Sequence, residues 1–253
     1  MLKKCSDPNK IKPLFEGFDD SVLYSYFEGL CGSGFCDNED KPTVAVVCGD
    51  FYFVSGDISF AEDIFAIAKD NKNVVFMPAT DDWVKALLRL DNRLEVSERY
   101  RTSPPDSGFD RAALAKLRDR INEYSEYELV PLDEKLYQQS LESEWSQAFV
   151  FNFKSCEDYQ NRGFGCAVTH GGRLICAAST YSVYSRGAEV EIAAHPDYRR
   201  QGLATIAGAA FILECVNRGL RPHWDAANEI SLKIAKKLGF VFKEKYSVVK
   251  FKE

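Results

Sequence analysis

One short segment constrains this chain more than any other: residues 199–204, with the sequence RRQGLA. It joins an apolar strand predicted over 188–194 to an apolar helix predicted over 205–218, which Gly219 ends. The start of a helix exposes backbone N–H groups and carries a partial positive charge. A glycine lets a phosphate approach that backbone, and two arginines add charge. The segment therefore predicts an anion site, against the alternative of a solvated basic turn.

Composition narrows the kind of ligand that such a site would bind. The 253 residues carry a net charge of −6, which argues against a broad basic face for DNA or RNA. The same acidic surface suits a cationic substrate. The N-terminal residues lack the apolar core of a signal peptide, and no apolar run approaches the roughly 20 residues that cross a bilayer. We therefore predict a cytoplasmic protein with neither a nucleic-acid nor a membrane partner.

The cysteines and histidines do not form a metal-binding pattern. There are eight cysteines and three histidines, and no Cys-x-x-Cys pair. In a reducing compartment we expect the thiols to be free and to act as small buried hydrophobes. We expect no metal.

The order of predicted elements differs between the two halves of the chain. Residues 1–124 are predicted to form a smaller mixed α/β domain of unknown role, and they contain no recognisable chemical motif. Its last predicted helix follows a clear loop at 102–108, and we place the domain boundary just after that helix, near Tyr124. Residues 125–253 follow the order strand, helix, helix, three strands, helix, strand, helix, two strands. The fold class predicted for the whole chain is α/β (α+β).

The turn and its context resemble the GNAT superfamily of N-acetyltransferases. The acyl-CoA motif of that family is Arg/Gln-x-x-Gly-x-Gly/Ala, and Arg199, Gly202 and Ala204 fill its fixed positions. The element order over 125–253 is also similar to the GNAT order. A later stretch, with Asn228 and Ser231 before a Leu-Gly-Phe at 238–240, resembles the closing motif of the family.

The resemblance implies a GNAT acyl-CoA N-acyltransferase fold over 125–253. Its mixed, mostly antiparallel sheet would splay where the co-substrate, acetyl-CoA, enters. The implied activity is transfer of the acetyl group to an amine by direct attack. The implied cofactor-binding residues are Ile192, Ala193, Ala194, Arg199, Arg200, Gln201, Gly202, Leu203, Ala204, Thr205, Asn228 and Ser231.

Two carboxylates on the predicted strand are the candidate catalytic residues. Glu189 and Glu191 alternate with apolar residues, so strand geometry places both on one face, roughly 7 Å apart. Close carboxylates tend to raise one pKa, which suits a general base. We favour Glu191 as the base, with Glu189 beside it. The alternative is a pair of solvated carboxylates on an exposed strand face.

The acid that would protonate the leaving thiolate stays open. Many GNAT enzymes place a tyrosine three residues before Leu-Gly-Phe, where this chain has Ala235. Tyr198, His223 or Tyr246 could replace it, or the thiolate could leave without a protein acid.

The acceptor and the oligomeric state also stay open, a homodimer included. Residues 202–205 and 222–228 resemble a narrower group, the zwittermicin-A-resistance-like acetyltransferases, which implies a small-molecule amine as the acceptor. The alternatives are a non-catalytic CoA-binding sensor, an interaction module, and an acetyltransferase for protein lysines or N-termini.

Overall fold

The computed structural model describes residues 2–37 and 44–252. The α-helices in this part of the chain are α1 (Pro8–Ile11), α2 (Ser21–Phe27), α3 (Ala61–Ala68), α4 (Asp81–Leu88), α5 (Arg111–Arg118), α6 (Glu134–Leu141), α7 (Cys156–Arg162), α8 (Leu203–Asn217) and α9 (Glu229–Lys237). The strands are β1 (Lys3–Lys4), β2 (Ser33–Cys36), β3 (Val44–Cys48), β4 (Phe51–Ser55), β5 (Val75–Pro78), β6 (Leu94–Ser103), β7 (Tyr127–Pro131), β8 (Gly165–His170), β9 (Arg173–Tyr184), β10 (Gly187–Ala194), β11 (Arg221–His223), β12 (Asp225–Ala226) and β13 (Val241–Phe251). Short 3₁₀ helices include Asp119–Glu123 and Pro196–Tyr198.

The chain divides into two compact units, and the division differs from the predicted boundary at Tyr124. The first unit is Met1–Arg99 with Lys245–Glu253, and the second is Tyr100–Glu244. Helix α5 belongs to the second unit because it packs along α8. The last residues return to the first unit because the end of β13 pairs with β5. Whether residues 125–253 fold independently stays a prediction.

The first unit is built on a mixed sheet. Strands β1 to β4 pair in chain order and antiparallel, β4 pairs with β5 parallel, and β5 pairs with the end of β13 antiparallel. Helices α3 and α4 contribute Ile64, Trp83 and Leu87 to the core of this unit, and these side chains are fully buried. The indole N–H of Trp83 donates to the carbonyl of Gly56 at 3.0 Å, so the ring is buried without an unsatisfied donor.

One pair of cysteines corrects the expectation that all eight thiols are free. Cys31 and Cys48 form a disulfide in the first unit. The strands bring them together because Ser33, two residues after Cys31, pairs with Val47. Among the cysteines outside this disulfide, Cys5, Cys36, Cys176 and Cys215 are buried, as the sequence predicts.

The second unit contains a five-stranded sheet in the order β11–β10–β9–β8–β7. Only the β10–β11 pairing is parallel, so the predicted mixed, mostly antiparallel sheet is confirmed. Strand β9 lies in the centre, and all of its residues after Arg173 are buried, which matches its run of apolar and small side chains. Helix α8 is apolar on nearly every side and is buried along most of its length.

The predicted elements after β10 need two adjustments. The expected short strand at 222–226 is two pieces: β11 extends the five-stranded sheet, whereas β12 pairs with Tyr100 and Arg101 of β6. The two strands expected at the end of the chain are one strand, β13.

Candidate active site

The turn between β10 and α8 is held in an uncommon backbone conformation. Arg200 has φ 64° and Gly202 has φ 84°, both in the left-handed region. For an arginine this region costs about 1–2 kcal/mol, whereas glycine adopts it freely. Arg199 stabilises the start of the turn, since its Nε donates to the carbonyl of Ala194 at 3.2 Å. The two left-handed residues turn the chain from the strand directly into the helix.

The first backbone N–H groups of α8 point out of the helix start. The amides of Thr205 and Ile206 both donate to the carbonyl of Gly202, at 3.0 and 3.2 Å. Within the described residues, the amides of Gly202, Leu203 and Ala204 have no backbone acceptor, as expected of the first turn of a helix. A 15-residue helix adds the positive end of its dipole at the same place. This arrangement suits a phosphate.

Two tyrosines support the turn from the side, and the sequence reasoning missed both. The hydroxyl of Tyr124 donates to the Gln201 carbonyl, and that of Tyr127 donates to Gln201 Oε1 at 3.1 Å. Their rings stack, with centroids 5.2 Å apart. Burial raises the pKa of Tyr127, so its phenol stays protonated as a donor. No local signal could have found these contacts, because 77 and 74 residues separate the partners.

Strands β10 and β11 form a fork that opens toward the turn. They pair only over three positions, Gly187 with Arg221 through Glu189 with His223. A Cβ at Gly187 would lie 2.6 Å from the Arg221 carbonyl oxygen, so glycine permits the close approach of the two strands where their pairing begins. Beyond Glu189, β10 pairs on its other edge with β9. On the edge of β10 opposite β9, the strand pairings of the described residues end at Glu189. The backbone groups of Ile192, Ala193 and Ala194 on that edge therefore have no strand partner there.

The two predicted carboxylates occupy different environments. An irregularity of register lies between Glu189 and Val190, where the partner on β9 changes from Ser182 to Thr180. Glu189 is buried, at 8% exposure, and its Oε1 accepts from the amide of Asp225 at 2.8 Å. Glu191 is half-buried and pairs in register with Ser179. Glu189 is thus engaged in holding β12, while Glu191 is the more accessible carboxylate.

The remaining predicted cofactor-binding residues have structural contacts. Asn228 caps α9, with its side-chain oxygen accepting from the amide of Ser231 at 2.9 Å. The Ser231 hydroxyl accepts from the indole N–H of Trp224 at 3.0 Å. Leu203 and Thr205 are buried in the first turn of α8, so only their backbone could face a ligand.

Two of the groups considered as acids, His223 and Tyr198, lie in hydrogen-bonded pairs. His223 Nε2 lies 2.9 Å from the Tyr184 hydroxyl, at the apex of the fork. The Tyr198 hydroxyl lies 3.1 Å from His170 Nδ1. Tyr246 belongs to the other compact unit. Ala235 is fully buried.

A cysteine near the strand is a poor nucleophile. Cys176 pairs in register with Ala194 and is fully buried, and burial raises the pKa of its thiol. Such a thiol stays protonated, and the thiolate is the nucleophilic form. Cys176 is therefore not a candidate nucleophile.

Similarity to known proteins agrees with this geometry. The profile of the family described as GNAT acetyltransferase matches residues 12–249. A GCN5-related N-acetyltransferase-like protein from Streptococcus suis 89/1591 is 30% identical, with a TM-score of 0.90 over 97% of this chain and 98% of the other. The chain therefore belongs to the GNAT acetyltransferase family.

Two further similarities are more limited. The first covers less than half of each protein, and the second shows only the fold. The uncharacterized N-acetyltransferase YdfB of Bacillus subtilis (strain 168) is 32% identical over an alignment of 112 residues that covers 41% of this chain and 43% of YdfB. A glucosamine N-acetyltransferase region of a fungal multi-domain GH3 β-N-acetylglucosaminidase has a TM-score of 0.61 at 11% identity, covering 98% of this chain and 38% of the other.

Within residues 2–37 and 44–252, no group of three or more His, Cys, Asp or Glu side chains is arranged to hold a metal ion. No helix there is long and apolar enough to cross a membrane.

Proposed function

We propose that this protein transfers an acetyl group from acetyl-CoA to the amine of a small molecule. The observation that carries the proposal is the turn at 199–204, where left-handed residues and free amides meet the start of α8. In a protein of this family, that turn would bind the pyrophosphate of the co-substrate. Arg199 and Arg200, both exposed, add positive charge there.

The fork between β10 and β11 would hold the reactive end of acetyl-CoA. The free edge of β10 at Ile192, Ala193 and Ala194 would hydrogen-bond the pantetheine arm through its backbone. The arm would then run from the turn toward the apex at Glu189. A backbone N–H on the same edge would polarise the thioester carbonyl and stabilise the developing oxyanion.

Glu191 would act as the general base, directly or through one water. Acetyl-CoA supplies an activated acyl group and a thiolate leaving group. The nitrogen of the neutral amine bonds to the thioester carbon, the carbon–sulfur bond breaks, and the amine proton goes to Glu191. The other carboxylate, Glu189, would hold the fork in shape through the Asp225 amide rather than accept a proton.

The pair formed by His223 and Tyr184 is the proposed source of a proton for the thiolate. It lies where β10 and β11 separate, in register with Glu189, while the family's usual tyrosine position is Ala235.

Two features support a small-molecule acceptor. Residues 202–205 and 222–228 resemble the zwittermicin-A-resistance-like group, and the net charge of −6 favours a cationic amine.

A free-thiol release assay over an amine library tests this function. The library contains amino sugars, aminoglycosides and polyamines, with lysine and N-terminal peptides as a separate arm. We expect thiol release with acetyl-CoA and one or more small amines. Release with peptides alone would favour the protein acetyltransferase. Binding of acetyl-CoA without release on any amine would favour the sensor, and absence of binding would overturn the assignment.

A further inference from the structure

The segment that leads into the GNAT-like strand order, at 120–127, also lies against the turn. Three of its residues approach the turn: Arg120 from the 3₁₀ helix Asp119–Glu123, Tyr124 just after that helix, and Tyr127 at the start of β7. Tyr124 and Tyr127 hydrogen-bond both oxygens of Gln201. The third residue, Arg120, lies beside Gly202.

The guanidinium of Arg120 is oriented so that one nitrogen faces the turn. Its Nε and Nη2 donate to the two carboxylate oxygens of Glu123, at 3.1 and 3.0 Å. That bidentate contact fixes the plane of the guanidinium. The remaining nitrogen, Nη1, would lie 4.0 Å from a Cβ placed on Gly202, the nearest atom to that position. Nη1 therefore lies on the Cβ side of Gly202, next to the turn.

We propose that Arg120 is a further ligand of the co-substrate's pyrophosphate, supplied from outside the acyl-CoA motif. The inference rests on the proposed function, since it requires acetyl-CoA at the turn. Arg120 would donate through Nη1 while Glu123 holds its other edge. Because Glu123 also brings a negative charge and the side chain of Arg120 is 36% exposed, the contribution is modest.

Calorimetric titration of acetyl-CoA into the Arg120→Ala variant tests the inference. We expect the dissociation constant to rise about tenfold, the size of one charge-assisted hydrogen bond at a partly exposed site. Arg120→Lys keeps the charge but lacks the planar guanidinium, so its dissociation constant for acetyl-CoA should lie between those of the wild type and Arg120→Ala. Thermal unfolding of each variant should match the wild type, because the side chain is partly exposed.

Arg118→Ala is the matched control. Arg118 lies two residues earlier, pairs with Asp119 at 2.7 Å, and lines a cavity with Glu214 and Arg218 near the other end of α8. Its removal should leave the affinity unchanged. Equal losses in the two variants would show a general charge effect and overturn the inference.

Titration with 3′-dephospho-CoA shows whether Arg120 acts on the pyrophosphate or on the 3′-phosphate. The loss caused by Arg120→Ala should persist, because the pyrophosphate is still present. If the loss disappears, Arg120 acts on the 3′-phosphate and the inference as stated is wrong. If the wild type binds acetyl-CoA and Arg120→Ala binds equally well, only the inference fails. If the wild type does not bind at all, the proposed function itself fails.

Discussion

Gly202→Glu should weaken binding of acetyl-CoA severely, because it places a carboxylate where the pyrophosphate would lie. Space does not prevent the substitution, since a Cβ at Gly202 would have only Arg120 Nη1 as a neighbour, at 4.0 Å. The φ of 84° adds backbone strain of about 1–2 kcal/mol. The larger effect is electrostatic: two unit charges about 4 Å apart repel by about 4 kcal/mol at an effective dielectric constant near 20. Affinity should therefore fall by about 10³-fold.

Gly108→Glu is the control that isolates the electrostatic effect from backbone strain. Gly108 has φ 77° and no atom within 4 Å of its Cβ position, so a glutamate there carries similar strain without meeting the turn. Both variants should unfold at similar temperatures, and only Gly202→Glu should lose heat of binding in calorimetry. A loss smaller than threefold, or an equal loss in both variants, would refute a pyrophosphate site at this turn.

Three other substitutions separate the roles assigned above. Glu191→Gln should lower kcat more than it changes KM for acetyl-CoA and should remove the rise of kcat with pH that a base causes, in steady-state kinetics. Glu189→Leu should cost about 1–3 kcal/mol of stability in denaturant unfolding, because it leaves the Asp225 amide without the oxygen that accepts from it; unchanged stability would contradict the structural role. Tyr127→Phe should weaken acetyl-CoA binding severalfold in calorimetry by releasing Gln201, and unchanged affinity would contradict that support.

The parts of the site that follow from local sequence could be predicted. The order of β10, turn and α8 is encoded within residues 187–217, since apolar runs specify the strand and the helix and a glycine permits the turn. The antiparallel neighbours β8 and β9 are also local, because His170 and Arg173 pair across a two-residue turn.

The parts that depend on distant contacts could not be predicted. Alternation places Glu189 and Glu191 on one face and makes them equivalent, but the structure buries Glu189 and gives it the amide of Asp225, 36 residues away. Asn228 and Ser231 stay predicted cofactor-binding residues, but the motif gave no sign that Asn228 also caps α9 or that the Ser231 hydroxyl accepts from the Trp224 indole. In each case the deciding partner comes from packing, which periodicity does not report.

The contacts around Gln201 also bear on where the functional domain begins. A boundary at Tyr124 follows from the last loop and helix of the first half, and it would remove Tyr124 from the domain that carries the turn. The hydroxyl of that tyrosine donates to the Gln201 carbonyl, and α5 packs along α8 just before it. An isolated piece starting at residue 125 would therefore expose one side of α8 and lose a contact that fixes the turn. The proposed anion site therefore includes a contact from a residue that precedes the GNAT-like strand order, and the compact unit that contains both begins at Tyr100.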